Sequence, residues 1–256
     1  MSLDSILTID QLMIQYSDRV LVKDVSFDIK ENEAVLLSGA NGIGKSTLLK
    51  TILGLESSGR RISGSIVVRG FGDILALSDV DIQRYRASIA YVQQKDDYSE
   101  MGNITVRDVI SDSSQSYSGK TLSFGEVDDL IDKWIPRKKD GRPVFNSKSK
   151  PKHFSGGEQR LLSVLSVLAT RNHADLLIID EPLNNLDFEN ARNISNVINR
   201  VIQDNPHMGL LMISHCRIFP FITREIELTP NGIKHSVDDY VCHSCFGYPD
   251  ANGFFK

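Results

Sequence analysis

Cysteine is scarce in this 256-residue chain, which holds three in all, Cys216, Cys242 and Cys245. So few, and an odd number, exclude a dense disulfide framework and point to a reducing compartment. Cys242-His243-Ser244-Cys245 is a C-x-x-C unit with three open readings. It is a pair of incidental thiols, or half of a metal site completed by His235 or a second subunit, or a redox pair. Long apolar runs are also missing. No stretch approaches the ~18–20 residues that cross a bilayer, so the chain is expected to be soluble and to reach a membrane only through a partner. The opening MSLDSILTID lacks a basic region and carries Asp4, and is not expected to be a secretory signal. Nor is there a basic excess. With 29 Lys and Arg against 33 Asp and Glu, a formal charge of −4, a whole-surface nucleic-acid footprint is disfavoured. The balance reverses only at residues 137–152, where seven basic side chains face one acidic. That loop is either a solvated face or a contact for a partner or anionic lipid.

Against these absences, 41% hydrophobic and 24% charged residues suffice for a real core, as one large domain or a core with a subdomain. ILTIDQLMIQY and VLVKDVSFDI alternate as strands, with Asp18-Arg19 at the turn. AVLLSG (34–39) is a short apolar run ending in glycine, as expected of a buried parallel strand. STLLKTILGL has helical spacing that stops near Gly54, and SGSIVVRG and IAYVQQ (89–94) are further strands. From Lys95 to Lys152 the chain turns polar, with helical signals only in TVRDVISD and GEVDDLIDKWI. This stretch is expected to be a peripheral, mostly helical insert. After it come a helix in EQRLLSVLSVLATR, a buried strand in DLLIID and an amphipathic helix in FENARNISNVINRVIQ. GLLMIS (209–214) is a third buried strand, and EIELTPNGIKHS reads as strand-turn-strand. Strands alternating with helices give an α/β fold, its mainly parallel sheet covered on both faces. Residues 236–256 show no core pattern.

GANGIGKST, Gly39 to Thr47, matches the phosphate-loop pattern G-x-x-x-x-G-K-[ST] between a strand and a helix, the context that gives the pattern its meaning. Its glycines let successive backbone N–H groups converge on phosphate oxygens, and the helix N-terminus adds partial positive charge. Lys45 supplies a full charge, and Ser46 offers a hydroxyl to Mg²⁺. In DLLIIDEP (175–182), Asp180 ends a buried strand, placed to hold Mg²⁺. Glu181 beside it can accept a proton from an attacking water. No N-K-x-D guanine-reading segment is present, which disfavours GTP. HFSGGEQ (153–159) looks like a second anion cradle at a helix start, without a lysine of its own.

In order and spacing, GANGIGKST, Gln94, FSGGEQ, LLIIDEP, NNLD and ISHC resemble the ATP-binding cassette (ABC) ATPases, from roughly Leu7 to Ile233. The resemblance implies a P-loop NTPase with a RecA-like, mainly parallel core, an N-terminal antiparallel β-subdomain and a helical subdomain. Residues 1–94 and 156–235 would form the nucleotide-binding core, 95–155 the helical and signature subdomain, and 236–256 a tail. ATP and Mg²⁺ are the implied ligands. Gly39, Ala40, Asn41, Gly42, Ile43, Gly44, Lys45, Ser46 and Thr47 would hold the nucleotide, and Ser46, Asp180 and Gln94 the metal. Glu181 matches the general base and His215 the histidine that contacts the γ-phosphate. Gln94 matches the glutamine that senses Mg²⁺ and water and touches the transmembrane partner, with Gln93 as the alternative. Asp187 matches the dimer-interface loop and Tyr16 the aromatic that stacks on adenine. Ser155, Gly156, Gly157 and Glu158 carry the signature, with Phe154 for the usual leucine and Glu158 for the frequent glutamine. RLLSVLSVLAT departs from the usual arginine pattern.

The family arrangement is a two-fold dimer, each signature capping the ATP of the opposite chain. One cassette is present here, so a second copy or a paralogue is expected. The implied function is the ATP-hydrolysing subunit of an ABC transporter, cytoplasmic and held at the inner face of the membrane by a separate permease. The permease would dock near Gln94 and residues 95–152. The main alternative is a soluble ABC ATPase of cofactor assembly, translation or DNA maintenance. A regulatory nucleotide-binding protein with weak turnover is a third.

Overall fold

The structure, a computed structural model, describes residues 5–55, 59–94, 98, 100–138, 140–171, 173–183, 186–214 and 219–235. Two long strands, β1 (Ser5–Tyr16) and β2 (Arg19–Lys30), pair antiparallel across a tight turn at Ser17 and Asp18. β3 (Ala34–Ser38) leads through the phosphate loop into α1 (Lys45–Ile52), which Gly54, at φ 63°, ends. β4 (Arg60–Val68) and the short β5 (Gly72–Asp73) complete an antiparallel sheet of order β2-β1-β4-β5. Next come α2 (Asp79–Ser88), β6 (Ala90–Val92), α3 (Val106–Ser118) and α4 (Phe124–Trp134). The described chain closes with α5 (Gly156–Leu168), β7 (Leu176–Asp180), α6 (Phe188–Asp204), β8 (Gly209–Ile213), β9 (Arg224–Thr229) and β10 (Gly232–His235).

The second sheet has the order β10-β9-β3-β8-β7-β6, parallel throughout except for the β9–β10 hairpin at one edge. Its central strands read as unbroken apolar runs because both faces are covered. Alternation survives within them. Ala34, Leu36, Leu177, Ile179, Leu210 and Met212 enter one buried cluster with α3, α4, α5 and α6. Val35, Leu37, Leu176, Ile178, Leu211 and Ile213 enter the other, against α1 and the antiparallel sheet. Successive side chains on opposite faces thus build two cores from one sheet.

The parallel register puts the carboxyl ends of β3, β8, β7 and β6 at one edge: Leu37 pairs with Ile213, Ile213 with Asp180, and Val92 with Ile179. Ligand sites of open parallel sheets lie at that edge. Helix starts are set locally. Thr105–Asp108, Ser123–Glu126 and Ser155–Glu158 each form a reciprocal capping box, and Asp187 caps α6.

Two elements differ from the sequence expectation. α2 was not anticipated, because its periodicity is weak and only Tyr85 is buried; Ser78, which accepts from the Asp81 N–H, is the start signal that was there to read. The strand expected at 89–94 is shorter, ending at Val92, so Gln93 and Gln94 leave the sheet edge as loop. Among the described residues no helix is long and apolar enough to cross a membrane.

Candidate functional site

The phosphate loop turns on glycines that no other residue could replace without strain. Gly39 and Gly44 have φ of 139° and 115°, and a Cβ on either would sit 2.6 Å from a carbonyl oxygen, that of Leu228 or Leu21. Lys45 opens α1, and its Nζ donates to the carbonyls of Gly39 at 2.7 Å and Ala40 at 3.1 Å. The loop is thereby folded around its own ammonium. Burial holds the Lys45 pKa below the ordinary lysine value, against the opposing pull of Glu181 and Asp180. An anion entering here would meet a cation with few solvent contacts to lose.

Asp180 ends β7 and is 8% exposed. Burial and the neighbouring Glu181 raise its pKa, while Arg160, Lys45 and Lys50 pull the other way. Glu181 follows at φ 46°, in the left-handed region that a non-glycine residue seldom adopts, and its N–H donates to the Ile213 carbonyl at 2.8 Å. Such backbone strain persists only where the surroundings fix it. Lys45, Ser46, Thr47, Gln94, Asp180 and Glu181, with Asn41, Gly42, Gly44 and Ile213, line one cleft of about 270 Å³. Its oxygen donors, the Ser46 hydroxyl, the Asp180 carboxylate and the Gln94 amide, are the hard ligands that suit Mg²⁺. Among the described residues no cluster of three or more His, Cys, Asp or Glu could cage a metal unaided. The donor set fits a hard divalent cation.

The signature lies elsewhere. Ser155 is the N-cap of α5: its Oγ accepts from the Glu158 N–H, and its own N–H and Oγ donate to the Glu158 carboxylate at 3.1 and 3.3 Å. Ser155 and Gly156 are exposed, whereas Gly157 is buried against α6. A Cβ at Gly157 would come within 2.2 Å of the Asn190 amide, but one at Gly156 would meet nothing within 4 Å. Asn190 in turn donates to Asp187, from its backbone at 2.9 Å and its side chain at 2.6 Å. Those bonds hold the Asp187 pKa below the usual carboxylate range. Ser155, Glu158 and Asp187 line a separate cavity of about 730 Å³ that shares no residue with the phosphate-loop cleft.

The remaining candidates divide. Tyr16, at the tip of β1, is 49% exposed and lies against Gly59; it is not among the residues lining the phosphate-loop cleft. His215 lies outside the described residues, as do Cys216, Cys242 and Cys245. Phe154, unusual in its position, stacks on Phe145 with ring centroids 5.2 Å apart.

Two residues escaped the sequence reading. Lys138, within the basic loop, reaches the signature's Glu158 at 3.4 Å. Arg160 is buried at 7% exposure and donates to main-chain carbonyls around Asp180. Its only sequence signal is a lone charge entering the apolar run LLSVLSVLA.

A family model described as "ABC transporter" matches residues 22–184. An uncharacterized ABC transporter ATP-binding protein of Haemophilus influenzae is 31% identical over 210 residues, 82% of this chain and 74% of that protein. A probable branched-chain amino acid transport ATP-binding protein of Archaeoglobus fulgidus is 30% identical over 218 residues, 84% of this chain and 82% of its own length. The solved structure of the ATP-binding subunit of an ABC transporter superposes with a TM-score of 0.70 at 24% identity, covering 92% of this chain and 91% of that one. The chain therefore belongs to the ABC transporter family, and these relatives are named as its ATP-binding proteins.

Proposed function

We propose that the protein works as a head-to-tail dimer, with a second copy or a paralogue, and that this dimer powers a separate permease. The observation that carries the reading is the division of donors. Lys45, Ser46, Asp180 and Glu181 line one cleft, and Ser155 and Asp187 line another with no residue in common. A triphosphate held by the first presents its γ-phosphate outward, and Ser155 with the first N–H groups of α5 is an anion-binding end, in a cavity also lined by Arg137, Lys138 and Arg192. Two copies related by a two-fold axis would bring each end over the other's nucleotide.

Within each site the backbone N–H groups of residues 39–47 and the Lys45 ammonium hold the β- and γ-phosphates. Ser46, Asp180 and Gln94 would hold Mg²⁺, which would offset charge on the phosphate oxygens when bound. The Glu181 carboxylate takes a proton from the water aligned on the γ-phosphorus, a general-base contribution of about 10²–10⁴-fold. Gln94 orients that water and reports its presence to the permease. His215 contacts the γ-phosphate, Tyr16 stacks on adenine, and Asp187 lies at the dimer contact. Loss of the γ-phosphate removes what the closed dimer binds better than the open pair, and the dimer opens. The permease docks beside Gln94 and residues 95–152, and holds the protein at the inner face of the membrane. The soluble alternative draws no support from the relatives described above, which are named as transport proteins.

Glu181→Gln tests the assignment. ATP binding should persist, turnover should fall by about 10²–10⁴-fold, and a dimer should accumulate in sedimentation. A variant that hydrolyses at the parental rate removes Glu181 as the base.

A further inference from the structure

We propose that Arg160 is a positioning residue that ties the signature helix to both arms of the hydrolytic site in its own chain. The inference rests on the site assignment above. It arises from three hydrogen bonds made by one buried side chain in the second turn of α5. Nε donates to the Pro182 carbonyl at 3.2 Å, Nη2 to the Asp180 carbonyl at 3.1 Å, and Nη1 to the Gln93 carbonyl.

The acceptors are not scattered. Asp180 and Pro182 flank Glu181, the residue held at φ 46°. Arg160 thus fixes the peptide group just before the strained position and the one just after Pro182, beside the Glu181 N–H bond to Ile213 at 2.8 Å. Its third bond holds Gln93, next to Gln94 in the loop beyond β6. A planar guanidinium can span three acceptors in fixed directions; a lysine ammonium, a compact point charge on a flexible stem, cannot.

Arg160 stands five residues after Ser155, on the same rigid helix. A nucleotide pressing on Ser155 from the opposite chain displaces α5. Arg160 moves with the helix and carries the Glu181 turn and the Gln93–Gln94 loop together. Capture of the partner's ATP is thereby coupled to the geometry of this chain's own water-activating residues. A misplacement on the ångström scale is enough to cost turnover about 100-fold.

The test uses the full-length chain with Arg160→Lys and Arg160→Met, and Arg171→Lys as a control. Arg171 is a half-buried arginine just past the other end of the helix, bonded instead to the Ile89 carbonyl at 2.6 Å. Arg160→Lys should lower kcat by about tenfold or more while KM for ATP stays within about twofold. Amide exchange should rise together at residues 93–94 and at Glu181, and not across β8. Arg171→Lys should lower Tm but leave kcat per folded molecule unchanged. Parental kcat in Arg160→Lys, or a loss matching its unfolded fraction, would overturn the proposal. If Arg160→Met fails to fold, the lysine variant still decides. Parental turnover in Glu181→Gln, run alongside, would overturn the site assignment instead. The exchange data would then still show whether Arg160 ties the two segments.

Discussion

The two signature glycines should respond to alanine in opposite ways. At Gly157 the new Cβ would fall 2.2 Å from the Asn190 side-chain nitrogen and 2.3 Å from its Cγ, so Asn190 must swing away. That breaks its 2.6 Å bond to Asp187. A hydrogen bond to a charged group is worth about 1.5–3 kcal/mol, and alanine returns up to ~1 kcal/mol of helix propensity. The net loss is roughly 1–2 kcal/mol, a Tm drop of about 2–8 °C at this chain length. At Gly156 an added Cβ meets nothing within 4 Å, so Gly156→Ala should match or exceed the parental Tm. The fold has no need of glycine there. The proposed dimer does, because that surface receives the opposite chain's nucleotide. Gly156→Leu should therefore fold normally, bind ATP with parental affinity and fail to dimerise or turn over. Thermal denaturation, equilibrium nucleotide binding and sedimentation read the three quantities separately. A Gly156→Leu variant that hydrolyses ATP at the parental rate would refute the reasoning, as would Gly157→Ala with unchanged stability.

Glu158 places a carboxylate on the donors of Ser155, where a phosphate would have to sit. Glu158→Gln keeps the capping geometry and removes the charge, so ATP-driven dimerisation should tighten about three- to fivefold, the worth of one solvent-screened charge contact; weaker dimerisation would contradict it. Stability should also fall in acid. Hydrogen bonds and ion pairs hold Asp108, Glu126 (about 2) and Asp187 below their ordinary pKa values. The unfolded chain takes up those protons first, so the stabilisation is full above about pH 5 and is lost as pH falls toward the folded values. Asp180, raised by burial, acts in the opposite sense as one group against three. A Tm that stays flat from about pH 5 to 3 would exclude this linkage, and Glu126→Gln should lessen the slope.

Short unbroken apolar runs are a sufficient guide to β3, β7 and β8, because strands buried on both faces must be apolar at every position. Phosphate-loop glycines and the Asp180-Glu181 pair were equally legible, since their spacing is local to one turn. What escaped depends on contacts distant in the chain. Arg160 bonds to carbonyls at Gln93, Asp180 and Pro182, and no pattern around Arg160 encodes them. Lys138 reads as one charge in a basic run until the fold brings it to Glu158, twenty residues on. α2 was missed because a helix with one buried side chain has almost no periodicity to see. The signature was read as an anion cradle. In the isolated chain S-x-x-E is a capping box.

The central claim is that each hydrolytic site is built from two chains, and complementation tests it most directly. Lys45→Ala removes the phosphate-loop cation but leaves the signature intact; Ser155→Arg blocks the signature but leaves the loop. Each variant alone should be inactive. An equal mixture should recover ATPase activity, at most about a quarter of the parental rate, because half the dimers are mixed and each mixed dimer holds one intact site. The Ser155→Arg chain that supplies its loop captures no nucleotide on its own signature, so loss of the coupling through Arg160 lowers the rate below that ceiling. A mixture as inactive as its components would contradict the account, and so would full activity in Ser155→Arg alone.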